Sequence, residues 1–159
     1  MKKIFTIVAL MLLCQGFLLA QTATPTSENK VDSKYVKDFQ KKAPGAKDVK
    51  WFQYADNKTF RVDFVSEENE RQAILFSAKG TETFFYIEEE YIPQTIKKYL
   101  ADNYAKYSLT DFYAAKSTKT IVYRARIAKK SGFLWWKKDT NAKLVNFSID
   151  GKFIDAVDE

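Results

Sequence analysis

Glu88-Glu89-Glu90 is the only place where three carboxylates stand in a row, and hydrolytic or metal chemistry would have to begin there. A pair of carboxylates flanking a sugar can cleave a glycosidic bond, and a convergent group can hold calcium. Three consecutive residues cannot all face one site, however, and no second acidic cluster stands at a matching spacing. The run reads as a solvated joint. Asp150-Gly151 likewise reads as a hairpin turn rather than as part of a metal loop. The five glycines are dispersed, so no glycine-rich phosphate loop is formed.

Histidine is absent and cysteine occurs once, as Cys14. Lys2 and Lys3 precede an uncharged apolar run from Ile4 to Ala20, and a polar, small-residue stretch follows from Gln21 to Thr26. That is a secretory signal pattern, with cleavage expected after Ala20. A lipoprotein reading would acylate Cys14, yet Leu13 stands where a small residue should precede it. Cleavage leaves 139 residues (159 minus 20) with neither thiol nor imidazole. Such a chain offers no Ser-His-Asp triad, no cysteine nucleophile and none of the usual zinc sites. The expectation is an exported protein, periplasmic or secreted, that needs no cofactor or metal and is not an enzyme.

The whole chain carries +6, and loss of Lys2 and Lys3 leaves +4, from 24 basic and 20 acidic residues. The excess is spread along the chain rather than gathered into one run. With export, this argues against a nucleic-acid partner.

Binding residues are better candidates than catalytic ones. In KKSGFLWWKK, residues 129–138, Phe133, Leu134, Trp135 and Trp136 are closed in by four lysines. Three readings are open: the tip folds over the sheet end as local core, it contacts a protein partner, or it docks at a membrane surface with Trp and Lys at headgroup level. A second group lies on alternating stretches. Phe52 and Tyr54 point opposite to Trp51 and Gln53, and Phe85 opposes Phe84 and Tyr86. Whichever set lies open would form an aromatic platform beside Arg61, Arg124 and Arg126, suited to a protein or glycan surface. The competing reading has these rings stabilising the sheet through cross-strand pairs.

The elements that must position these residues follow from periodicity. Phe60, Val62 and Phe64 alternate with polar neighbours, and similar stretches recur at Val49 to Tyr54, Gln72 to Ser77 and Thr83 to Ile87. Turn-forming runs separate them, so a four-stranded antiparallel meander is expected. In Ser33 to Ala43, residues Tyr35, Val36 and Phe39 share one helical side, Asp32 or Ser33 can cap the start, and Pro44-Gly45 stops it. Ile92, Ile96, Tyr99, Leu100 and Tyr104 make a second helical stripe, with Pro93 suited to its first turn.

The two helical stretches expose an internal repeat. Phe39 matches Tyr99, Val49 matches Leu109 and Phe52 matches Phe112 at a spacing of 60, whereas Phe76-Ser77-Ala78-Lys79-Gly80 matches Phe147-Ser148-Ile149-Asp150-Gly151 at 71. The second copy is 11 residues longer, and KKSGFLWWKK sits where the extra length enters. The predicted organisation is a signal peptide (1–20), a disordered polar linker (21–30), a first unit (31–90) and a second (91–159) with an inserted hairpin at about 129–141.

A helix ending in Phe39-x-x-x-x-Pro44-Gly45-Ala46-Lys47, then Val49-x-Trp51, an alternating strand and a Phe-Ser-x-x-Gly turn resembles the PepSY-like proteins of Bacteroidetes. These are similar in turn to the beta-lactamase inhibitor protein fold. The resemblance covers about residues 30–157, and the second copy departs from it with Tyr104-Ala105 for Pro-Gly and Asp111 for the tryptophan. It implies an α+β fold of two tandem helix-plus-four-strand antiparallel repeats, forming an extended sheet with helices on one face. It also implies an exported binding protein, with inhibition of a hydrolase or peptidase in the cell envelope as a form of that role. The partner expected is an envelope or extracellular protein, and small-molecule or glycan binding on the aromatic face is the alternative.

Overall fold

Alternating side chains face opposite layers, so a stretch such as Phe60 to Val65 gains most by lying in a sheet with one side covered. The computed structural model describes residues 23–131 and 138–159, and the side chains among them outside 130–139. The described elements run β1 (Thr24–Thr26), α1 (Ser33–Lys42), β2 (Lys47–Gln53), β3 (Phe60–Val65), β4 (Arg71–Ser77), β5 (Gly80–Tyr86), α2 (Gln94–Asn103), β6 (Ser108–Lys116), β7 (Ile121–Ser131), β8 (Lys138–Phe147) and β9 (Phe153–Asp158). Short 3-10 turns at Glu28–Lys30 and Glu89–Tyr91 precede the helices. The nine described strands form one sheet in sequence order, each antiparallel to its neighbours. This is a mostly-sheet α+β fold.

Residues 24–30, read from composition as part of a polar linker, supply β1 and the first 3-10 turn. Thr24 to Thr26 pair with Gln53 to Trp51, so the edge of β2 provides a partner that composition cannot reveal. Residues 1–20, expected to be a signal peptide, lie outside the described residues.

Helix α1 starts where the Asp32 carboxylate accepts from the Lys34 backbone N–H at 3.0 Å, satisfying one of the orphan donors of the first turn. The chain turns away at Gly45, whose φ of +74° lies in the left-handed region. A side chain there would also meet Glu67, which can move aside. Gly45→Ala is expected to lower stability by about 1–2 kcal/mol, the cost of that backbone conformation to a residue with a Cβ; urea unfolding would measure it. Pro93 stands just before α2 as its cap residue rather than within its first turn.

Register places both helices on the same face. Tyr35, Val36 and Phe39 of α1 pack on Trp51, Phe60, Val62, Phe64, Ile74 and Phe76. Ile96, Tyr99 and Leu100 of α2 pack on Phe112, Ala125, Ile127, Val145 and Phe147. Ile74 pairs with Thr83, Thr83 with Lys116, and Lys116 lies two strand pairs of residues from Phe112, so these positions share one side of the sheet. Trp51 therefore faces the helices. Phe52, Tyr54, Phe84 and Tyr86 belong to the other side.

Candidate functional site

Among the described residues no helix packs against that other side, yet a second core lies there. Tyr54, Ala73, Leu75, Phe84, Tyr113, Ala115 and Leu144 form one buried cluster, none more than 8% exposed. Two features of the sheet account for it. The first is curvature: the cluster runs unbroken from Tyr54, just beyond β2, to Leu144 of β8, on a sheet whose nine described strands each add twist. Curling toward this side is the ordinary outcome of strand twist accumulated over many strands. The second is a lid of charged side chains, with the Arg124 guanidinium over the Phe84 ring and that of Arg71 over Tyr86.

The three arginines singled out from sequence all lie in that layer, each held by a carboxylate. Arg61 donates from Nε and Nη2 to Asp63 at 2.6 and 3.0 Å and from Nη2 to the Tyr86 hydroxyl at 2.8 Å. Arg124 reaches Glu82 through Nη1 and Nη2, each at 2.9 Å, and Asn146 through Nε at 3.2 Å. Arg126 donates to Glu159 at 2.6 Å. Arg71 lies over the Tyr86 ring, 4.1 Å from its centroid, and reaches Asp111 at 3.4 Å. The bidentate guanidinium–carboxylate pairs of Arg61 and Arg124 fix orientation as well as charge.

Burial is the main reason the phenols of Tyr54, Tyr86 and Tyr113 titrate above the ordinary tyrosine value, and nearby arginines work against it. All three rings therefore stay neutral hydrogen-bonding groups through the physiological range. Glu159, beyond β9, adds to the upward shift of both Tyr54 and Tyr113, which is a further sign that the sheet ends approach one another across this face.

Phe52, opposite Arg61 in the β2–β3 register, is half-buried on this same side, and Tyr54 is only 3% exposed. The face is thus a clamped polar layer over buried rings rather than a platform of bare rings. Sequence reasoning found the arginines but not Asp63, Glu82 and Glu159. Asp63 was legible, since residues 61 and 63 of one strand share a face. Glu82 stands 42 residues from Arg124, and no local signal links the two. Phe133, Leu134, Trp135 and Trp136 lie outside the described residues.

No family model and no curated protein matches the chain. Solved structures do match. A DUF2874 family protein from Bacteroides uniformis aligns over 80% of this chain and 89% of its own, with a TM-score of 0.58 at 14% identity. A BLIP-like protein from Bacteroides fragilis aligns over 80% of this chain and 85% of its own, with a TM-score of 0.55 at 13% identity. The fold is beta-lactamase-inhibitor-like. At such identities the likeness concerns the fold alone.

Within this inhibitor-like fold the acidic run 88–90 falls at the 3-10 turn before α2, exposed throughout. Among the described residues no group of three or more His, Cys, Asp or Glu is placed to hold a metal ion.

Proposed function

We propose that this chain is an exported, non-enzymatic binding protein that recognises a protein of the cell envelope or its surroundings through the helix-free face of its sheet. Inhibition of a hydrolase or peptidase is the form of recognition that fits best with the likeness to a BLIP-like structure. The PepSY-like reading of the sequence motifs belongs to the same proposal, as does the reading of the fold as a duplicated unit of one helix and four strands.

What carries the proposal is the clamped layer itself. Arg61, Arg124 and Arg126 come from β3 and β7, and each is fixed by a carboxylate on a curved surface with buried rings beneath. Side chains already ordered in the free protein lose less conformational entropy on binding. Arginine is also among the residues that most often dominate interface energy. A glycan reading would need open ring faces for stacking, and Tyr54, Phe84 and Tyr113 are covered. The tip with Trp135 and Trp136 remains a proposed second contact on sequence grounds.

The test is titration of the protein against a panel of envelope hydrolases and peptidases, following inhibition and binding together. At least one target should be inhibited at a stoichiometric ratio. Arg124→Ala should then weaken binding about tenfold, some 1.4 kcal/mol, while Lys37→Ala on the exposed side of α1 leaves it unchanged. Equal affinities for both variants would remove the sheet face from the proposal. A soluble glycan that raises the melting temperature where no protein does would favour the alternative ligand.

A further inference from the structure

The ladder between β5 and β6 is short, and its shortness opens a groove. Only Thr83 to Tyr86 pair with Tyr113 to Lys116, with one further bond from the Ile87 N–H to the Phe112 carbonyl. Beyond that point the chain leaves toward α2, and among the described residues Ser108 to Asp111 pair only with β7. The space beside this unpaired stretch of β6 measures about 1100 Å³.

Its lining runs against the charge of the molecule. On a chain of net +6, the groove gathers Glu68, Glu70, Glu88, Glu89 and Asp111, with Arg71 the only cation among the described residues that line it. Arg71 is engaged by Asp111 and the Tyr86 ring, and the exposed Glu68, Glu88 and Glu89 make no ion pair among the described residues. An unpaired strand edge amid unneutralised carboxylates suits an extended, lysine-bearing segment, because main-chain bonds and charge then act together.

The chain itself supplies such a segment. β7 pairs with β6 only as far as Ala128, opposite Ser108, so Lys129, Lys130 and Ser131 extend the edge of the sheet past the end of β6. Lys129 has its ammonium 5.0 Å from the Tyr107 ring centroid and no carboxylate partner among the described residues. The same ladder directs this edge away from its own groove: Ser131 lies about 13 Å along the strand from Ile127, the partner of the groove residue Leu109. Basic edge and acidic groove nevertheless stand at the same end of the sheet. Two copies related by a twofold axis can each present one to the other, which closes the assembly at a dimer.

We propose that the acidic groove between β5 and β6 receives the lysine-bearing edge Lys129–Ser131 of a second copy of this chain, reciprocally. Sedimentation equilibrium of the purified protein tests it, at ionic strengths of about 0.01 and 0.3 M, where the screening length falls from about 30 Å to below 10 Å. A dimer is expected at low salt, weakened at least tenfold at high salt. Glu88→Lys with Glu89→Lys should give a monomer, as should Lys129→Glu with Lys130→Glu, both folded by circular dichroism. Mixing the two reversed variants should restore a dimer containing one of each. A wild type that is monomeric at low salt overturns the proposal, as does a dimer indifferent to either reversal, or a mixture that stays monomeric. A monomeric wild type that binds a free lysine-rich decapeptide also overturns it, and would give the groove to a foreign basic segment.

Discussion

Phe76→Ala is expected to destabilise the protein by about 3–5 kcal/mol, the scale of a phenylalanine removed from a core that cannot collapse. Phe76 is 0% exposed and lies between α1 and the sheet. Its ring stacks on Tyr35 at 5.0 Å and on Trp51 at 6.0 Å. Alanine would leave both partners facing a void, and strand register holds Trp51 and Ile74 in place around it. Urea unfolding followed by far-ultraviolet circular dichroism measures the loss. Phe153→Ala is the control: this ring is 42% exposed on the edge strand β9 and stacks on Tyr99 at 5.0 Å. Its loss should cost about 1 kcal/mol, mostly the ring pair. A Phe76→Ala cost no larger than that of Phe153→Ala would mean that α1 is free to settle into the space.

Arg61→Ala is expected to cost about 2 kcal/mol for a different reason. The Arg61 side chain is 24% exposed, so water screens its charge in part and the full penalty of breaking a buried pair does not apply. Its removal deprives Asp63 of two hydrogen bonds and the Tyr86 hydroxyl of one. The cost lies largely in groups left without partners rather than in the bonds themselves. Replacing Asp63 by Asn in the same chain should therefore restore about 1 kcal/mol, because the neutral amide is cheaper to leave without a cation. A double variant no more stable than Arg61→Ala would locate the loss in the packing of the arginine stem instead.

The two phenylalanines and the arginine show how far the sequence reaches. Phe76 was legible as a sheet residue, since Gln72 to Ser77 reads as a strand bounded by turns, and the structure extends that strand by one residue to Arg71. The stripes Tyr35, Val36, Phe39 and Ile96, Tyr99, Leu100 were legible as helical faces, and both pack as such. The clamped face was half legible. Arginines on alternating positions of β3 and β7 can be placed on a strand face from sequence, but Glu82 and Glu159 reach them across the sheet from 42 and 33 residues away. The groove was not legible at all. Glu88 to Glu90 read as a solvated joint because its neighbours Glu68 and Glu70 are brought to it by strand pairing, and nothing in the spacing of the two runs announces that.

By itself the sequence determined the kinds of element, their order, and the absence of histidine throughout. Periodicity and residue chemistry are local properties, and a chain carries them whatever it folds against. Only the tertiary structure decided which side of each strand meets the helices. Period-two alternation is symmetric between the two faces, so Trp51 and Phe52 are equally good core residues until α1 covers one of them. It also decided that the helix-free side would bury rings of its own, because the cluster from Tyr54 to Leu144 is assembled across strands that no window of sequence spans.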